Sequence, residues 1–227
     1  MIRTLTTALA LALTAAPAMA QDAPGQWSFG FGAGTDNRSK DASKSMGKEY
    51  AWASAAWESD SGFFYVDGGL QGIESNGSDT EGELGLGVRP QIAGFDLDLS
   101  ATHKWQLDAN PGADADAWEF TANLSRSIGP AKARLQLQHS PDGLGSTKAW
   151  TWVEARAGWA FNETLSSSAA IGRREQDGSI DYTGYNAGVT WAVSRNADLD
   201  LRWYGTDGPG SDPRYADSMV AKVSFGF

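Results

Sequence analysis

Cysteine is absent from the chain. That removes disulfides, Cys-zinc sites, thiol catalysis and the lipid anchor of a lipoprotein. Histidine is almost absent, with only His103 and His139. A Ser-His-Asp hydrolase needs an imidazole to take the nucleophile's proton, and both histidines share the parity of apolar neighbours, Ala101 and Leu137. They stand in His103-Lys104-Trp105 and His139-Ser140-Pro141, unlike the His-x-Ser arrangement of outer-wall phospholipases, so they read as interfacial histidines. Basic charge is scarce: 18 Lys plus Arg against 28 Asp plus Glu give a net −10, which disfavours a nucleic-acid partner. Long apolar runs are missing too. The longest, Leu5 to Ala16, is roughly a dozen residues, short of the ~20 that cross a bilayer as a helix. No metal-ligand set or phosphate-cradling glycine loop stands out, and Asp198 with Asp200 is too little for calcium. Neither cofactor nor enzymatic activity is expected.

That short run follows Arg3 and ends at Ala18-Met19-Ala20, before polar Gln21-Asp22. One positive charge, a short apolar stretch and an A-x-A site describe a cleaved secretory signal peptide over 1–20. Residues 21–227 then form one domain, a length that suits a single all-β barrel.

What fills that domain is alternation. Trp27, Phe29, Phe31 and Ala33 interleave with Ser28, Gly30, Gly32 and Gly34, and Phe95, Leu97, Leu99 and Ala101 with Asp96, Asp98, Ser100 and Thr102. A period of two with one apolar face marks a strand. Twelve such segments are predicted, near 27–34, 50–57, 63–71, 82–89, 95–105, 117–126, 131–139, 150–161, 165–173, 182–193, 198–205 and 218–227. Five connections are short, and six longer ones, rich in Gly, Asp, Ser and Pro, interleave with them. Short turns on one side, long loops on the other and an even strand count describe a transmembrane antiparallel up-and-down β-barrel. Both termini are then periplasmic. Aromatics fit two interfacial girdles: Trp27, Trp57, Phe63, Phe95, Trp159, Phe161, Trp191, Phe225 and Phe227 at the turn ends, and Trp105, Trp118, Tyr182, Trp203 and Tyr204 at the loop ends. A secreted β-sandwich would need bulky residues on its second face, where this chain carries charges.

Those charges define the expected lumen. Positions of polar parity include the acids Asp67, Glu83, Asp96, Asp98, Glu119, Glu154, Asp198 and Asp200 and the bases Arg89, Lys104, Lys132, Arg134, Arg156, Arg202 and Lys222. The wall is nearly neutral, which argues against a conduit for acidic oligosaccharides. The long loops are acidic, so weak cation preference is expected. Met219, Ala221, Val223, Phe225 and Phe227 share one face of the last segment. This row, above all Val223, Phe225 and Phe227, is similar to the assembly signal of Gram-negative outer-membrane barrels. It implies outer-membrane lipid, periplasmic chaperones and the barrel-assembly machinery as partners.

The stretch from Gly34 to Glu74 resembles the start of the TorF family of outer-membrane porins. The resemblance runs through Thr35-Asp36, Ser43, Ala51 to Trp57, Ser61-Gly62-Phe63-Phe64-Tyr65 and Gly69 to Ile73, and continues in Glu83-Leu84-Gly85-Leu86 and Ile92-Ala93-Gly94-Phe95-Asp96. Asn37 stands where the family has Tyr, and Lys40-Asp41 where it has Arg-Gly. The resemblance implies an outer-membrane porin-like protein with no defined solute. The expected function is passive diffusion of small hydrophilic solutes or ions. The alternatives are a closed structural or adhesive barrel and, less favoured, an outer-membrane hydrolase.

Overall fold

A computed structural model describes residues 25–227, and the expected signal peptide lies outside them. The described residues contain strands and no helix. These are β1 Gln26–Gly34, β2 Arg38–Ser39, β3 Ala42–Ser43, β4 Tyr50–Glu58, β5 Phe64–Ser75, β6 Ser78–Val88, β7 Gln91–Ile92 and β8 Phe95–Leu107, followed by β9 Asp116–Ile128, β10 Ala131–Gly143, β11 Lys148–Ala160, β12 Leu165–Gln176, β13 Tyr182–Ser194, β14 Ala197–Thr206 and β15 Ser218–Gly226. Three are two-residue pieces. The other twelve are the expected barrel strands.

Those twelve close into a ring. Each pairs antiparallel with its chain neighbour, β6 pairs with β8 past the short β7, and β1 pairs with β15 with Phe31 opposite Phe225 and Gly34 opposite Lys222. A closed ring leaves no strand edge unpaired, which is what a sheet needs where water cannot satisfy its backbone groups. The strands run 9 to 13 residues, the length that crosses a bilayer when tilted.

Register sorts the side chains. Leu135 opposes Leu124 and Ala155, and Leu137 opposes Ala122 and Val153. Leu135, Leu137, Val153, Ile171 and Leu201 are all about half exposed. So continuous an apolar outer band is a lipid-facing surface. Aromatic contacts gather at the two ends of this band. At the turn end the Phe31 and Phe225 rings lie 5.1 Å apart and Trp57 meets Phe64 edge-on at 6.1 Å, while at the loop end Trp118 packs on His103 at 4.9 Å.

Two expectations need correction. Tyr182 and Tyr204 do fall at the loop end, but they point inward. Tyr182 is 1% exposed, and Tyr204 pairs with inward Asn186 and Ser218. Parity forbids Trp203 and Tyr204 from sharing a face. The connection expected over 72–81 is no long loop either. β5 and β6 continue to a two-residue turn at Asn76-Gly77, with φ of 53° and 80°. Positive φ at both positions is the type I′ geometry for which Asn-Gly is the favoured pair.

Candidate functional site

The first loop, 35–49, folds back across the barrel. β2 and β3 form a miniature hairpin with Lys40 and Asp41 at its tip, φ 53° and 63°. Non-glycine residues at both left-handed positions are strained, and such strain persists where surrounding contacts hold it. Here the contacts are numerous. Buried Asp36 organises the loop by accepting from Arg38 Nε at 2.5 Å and from the Ser43 and Ser45 hydroxyls at 2.5 and 3.0 Å. The tip then reaches the walls. Lys40 Nζ lies 3.4 Å from Glu119 on β9 and 4.2 Å over the Trp150 ring on β11, and its carbonyl accepts from the Tyr182 hydroxyl on β13 at 2.8 Å. Asp41 accepts from Asn186 Nδ2 on β13 at 2.7 Å. Lys44 pairs with fully buried Glu81 on β6, and Asn37 Nδ2 donates to Gln71 Oε1 and the Gly72 carbonyl on β5.

One glycine makes the seat possible. A Cβ on Gly184 would lie 2.6 Å from Asp41 Cβ, so any side chain there would push the tip off β13. Burial pulls the Lys40 ammonium down to about 7 against the opposing pull of Glu119, and pushes the Asp41 carboxyl up to about 6 against the Asn186 hydrogen bond. Between loop and wall a cavity of about 180 Å³ remains, bordered by Lys44, Glu81, Lys104, Glu119, Trp150 and Arg174.

Below the loop the strands bring most of the expected lumen residues together as pairs. Lys104 lies 3.0 Å from Glu119 and 3.7 Å from Glu83. Arg134 and Arg156 share Glu154 at 2.7 and 3.0 Å. Arg202 bonds Asp200 at 3.2 Å and donates to Asn186 Oδ1 at 2.9 Å. Arg89 joins Glu58 to Asp98, which also accepts from the Tyr65 hydroxyl at 2.9 Å. Lys222 lies 4.8 Å over the Trp52 ring, and Asp67 shares the inward row with Ala56 and Gly85. Asp96 and Lys132 have the expected parity but sit exposed near the turn end, as does Asp198. Val223, Phe225 and Phe227 are on or beside β15 with Phe225 and Phe227 stacked on Phe31.

Three lining charges escape the sequence reading, all for one reason. Glu81 and Arg174 lie on strand ends that extend past the segments marked by alternation. The Asn76-Gly77 pair was the available sign for Glu81. The third, Glu58, closes β4 one residue past its expected segment. Lys40, Asp41 and Lys44 carry no periodic signal, because their placement depends on tertiary docking. On the outer wall, His103 Nε2 lies 3.0 Å from Asp116 and His139 Nδ1 3.1 Å from the Thr151 hydroxyl.

No family model and no curated protein matches the chain, so the TorF resemblance gains no support there. Solved structures do match. The KdgM porin superposes with a TM-score of 0.61 at 6% identity, over 88% of this chain and 99% of that one. The NanC porin gives 0.63 at 7%, over 87% and 98%. An outer membrane channel from Pseudomonas putida F1 gives 0.55 at 9%, over 92% and 98%. At these identities the likeness is one of fold. The chain has the closed antiparallel barrel fold of porin-type outer-membrane proteins.

Proposed function

We propose that this protein is an outer-membrane channel through which small hydrophilic solutes or ions diffuse passively, with weak preference for cations. One observation carries the reading: a closed barrel whose outer face is apolar encloses a wall of charged, Gly and Ser side chains that one inward loop narrows. A lipid-facing band and a polar interior together are the marks of a water-filled barrel. The porin-type fold supports the same class. In this reading residues 1–20 direct export, the short turns face the periplasm, and the barrel-assembly machinery inserts the chain. The preference for cations rests on acids of the exposed connections, such as Asp108, Asp114, Asp177 and Asp207.

Planar bilayers test it. Refolded full-length barrel should give small, steady conductance, and in a salt gradient the reversal potential should lean toward cations, less so at high salt as screening shortens the reach of loop charges. Correctly folded protein with no conductance at any voltage would overturn the channel. One specific observation favours the second reading, a closed barrel: the loop is fastened on both sides of the lumen by Glu119, Glu81 and Asn186. The same recording decides between the two.

A further inference from the structure

A lumen of nearly balanced charge can still be polarised, and this one is. In a ring of twelve, each strand faces the one six places away, so β4, β5, β6 and β8 face β11, β12, β13 and β14. The first arc carries Glu58, Asp67, Glu83 and Asp98 with Arg89 as the base that bridges Glu58 to Asp98. Lys104, at the edge of this arc, is nearer to Glu119 than to Glu83. The opposite arc, with its flanking strands β10 and β15, carries Arg134, Arg156, Arg202 and Lys222 against Glu154 and Asp200. Across the lumen between them these charges set a field pointing from the basic arc to the acidic one.

The loop tip shows what such a field seats. Lys40 and Asp41 are adjacent residues of opposite charge, an ammonium beside a carboxylate. The Lys40 ammonium docks on Glu119 of β9, at the border of the two arcs, and Lys44 reaches Glu81 on β6, within the acidic arc and directly opposite β13. The carboxylate docks on the basic side at Asn186, whose Oδ1 also accepts from Arg202 at 2.9 Å and Arg156 at 3.5 Å. The chain's own dipole lies in the orientation that the two arcs impose.

From this we propose that the lumen favours zwitterionic solutes, of amino-acid to dipeptide size, over uncharged solutes of the same size. The ammonium turns toward Asp67 and Asp98 and the carboxylate toward Arg156, with buried Arg202 adding its charge to the field. A solute without net charge gains nothing from a uniformly signed pore, whereas a transverse field lowers its energy when its dipole aligns. The inference rests on the channel reading and adds the solute class to it.

Refolded barrel in liposomes, swelling in glycylglycine or in uncharged N-acetylglycinamide, tests both. Glycylglycine is expected to enter about threefold faster, less than the roughly tenfold or more that a focused field gives a solute of net charge. The ratio should fall to about one in Asp67→Asn with Asp98→Asn, and equally in Arg156→Gln with Arg202→Gln, since either arc alone leaves no field of this shape. Arg156→Lys with Arg202→Lys keeps the charge and should keep the preference, which guards against a variant that merely misfolds. Equal entry of both solutes into wild-type liposomes, or a preference that survives both neutralised pairs, overturns the inference and leaves the channel standing. Entry of neither solute, in protein that shows the gel shift of a folded barrel, overturns the channel and the inference with it.

Discussion

The two ends of the lumen hold the same kind of ion pair in different solvents. At the loop end Glu119 is 9% exposed and binds Lys40 and Lys104 beneath a cluster of Trp150, Trp152, Tyr182 and Tyr215. At the turn end Glu58 and Arg89 meet with both side chains 43% exposed. Coulomb attraction between wet charges is largely cancelled by water, while a charge stripped of water depends on its partner. Charges at the loop end therefore fasten the first loop in place. Those at the turn end stay hydrated and, in the proposed channel, available to a passing solute.

The contrast is sharpest at Glu119. Glu119→Ala strands the Lys40 ammonium in a poorly hydrated layer and leaves Lys104 only the longer pair to Glu83 at 3.7 Å, and losing one partner of a buried pair costs about 3 kcal/mol or more. The urea midpoint of the refolded barrel should drop with an unchanged slope. Channel current should also become noisier as the tip loses an anchor. Gly184→Val comes next. The added side chain meets Asp41, and overpacking of this kind costs about 1–3 kcal/mol, here charged to loop docking rather than to the barrel. The expected result is higher single-channel conductance at nearly normal stability. Conductance that stays at the wild-type level would show that the loop does not narrow the path.

Much of the barrel was legible because its lipid face obeys one simple rule. Leu135, Leu137 and Val153 need only be apolar and alternate, so period and end-placed aromatics located twelve strands to within a few residues. The inner face obeys no such rule. Parity places Glu154 and Arg156 inside, but their sharing with Arg134 depends on register between β10 and β11, which alternation does not specify. The loop was least legible of all. Lys40-Asp41 occupies a turn that favours Asn-Gly, and the contacts that hold it lie on β9, β11 and β13, far along the chain. Local preference lost there to tertiary docking. Tyr182 illustrates the same override, an aromatic at the correct height that serves the loop instead of the interface.

Acidity probes the loop end more gently. The docked Asp41 carboxyl is raised from 3.8 to about 6, so the docked loop binds a proton more readily than an undocked one would. Docking therefore gains as pH falls through 6, the gain is complete below 3.8, and none is present above 6. Lys40, lowered to about 7, is half protonated at pH 7 and almost fully so by pH 6, so it opposes docking only at the start of that fall. Conductance of the wild type should decrease between pH 7 and 4 as the tip sits more firmly. Asp41→Asn, neutral throughout, should show a weaker decrease. An identical pH profile in the variant would assign the effect to other carboxylates.

The smallest effect belongs to the turn end, and it tests the other half of the contrast. Arg89→Gln removes ion pairs to Glu58 and Asp98 and a cation–π contact 4.2 Å from the Tyr65 ring, three interactions where Glu119→Ala removes two. By number it should be the worse substitution. By solvation it should be the milder, because exposed pairs are worth about 1 kcal/mol or less and the two freed carboxylates remain hydrated. Its urea midpoint should thus stay close to wild type. Its electrical signature should not, since Glu58 and Asp98 lose the base that offset them and the turn-end mouth becomes more acidic. Cation preference should rise at low salt and return toward wild type as screening increases. A loss of stability as large as that of Glu119→Ala would mean that water does not reach this end of the lumen, and the distinction between fastening charges and available ones would fall.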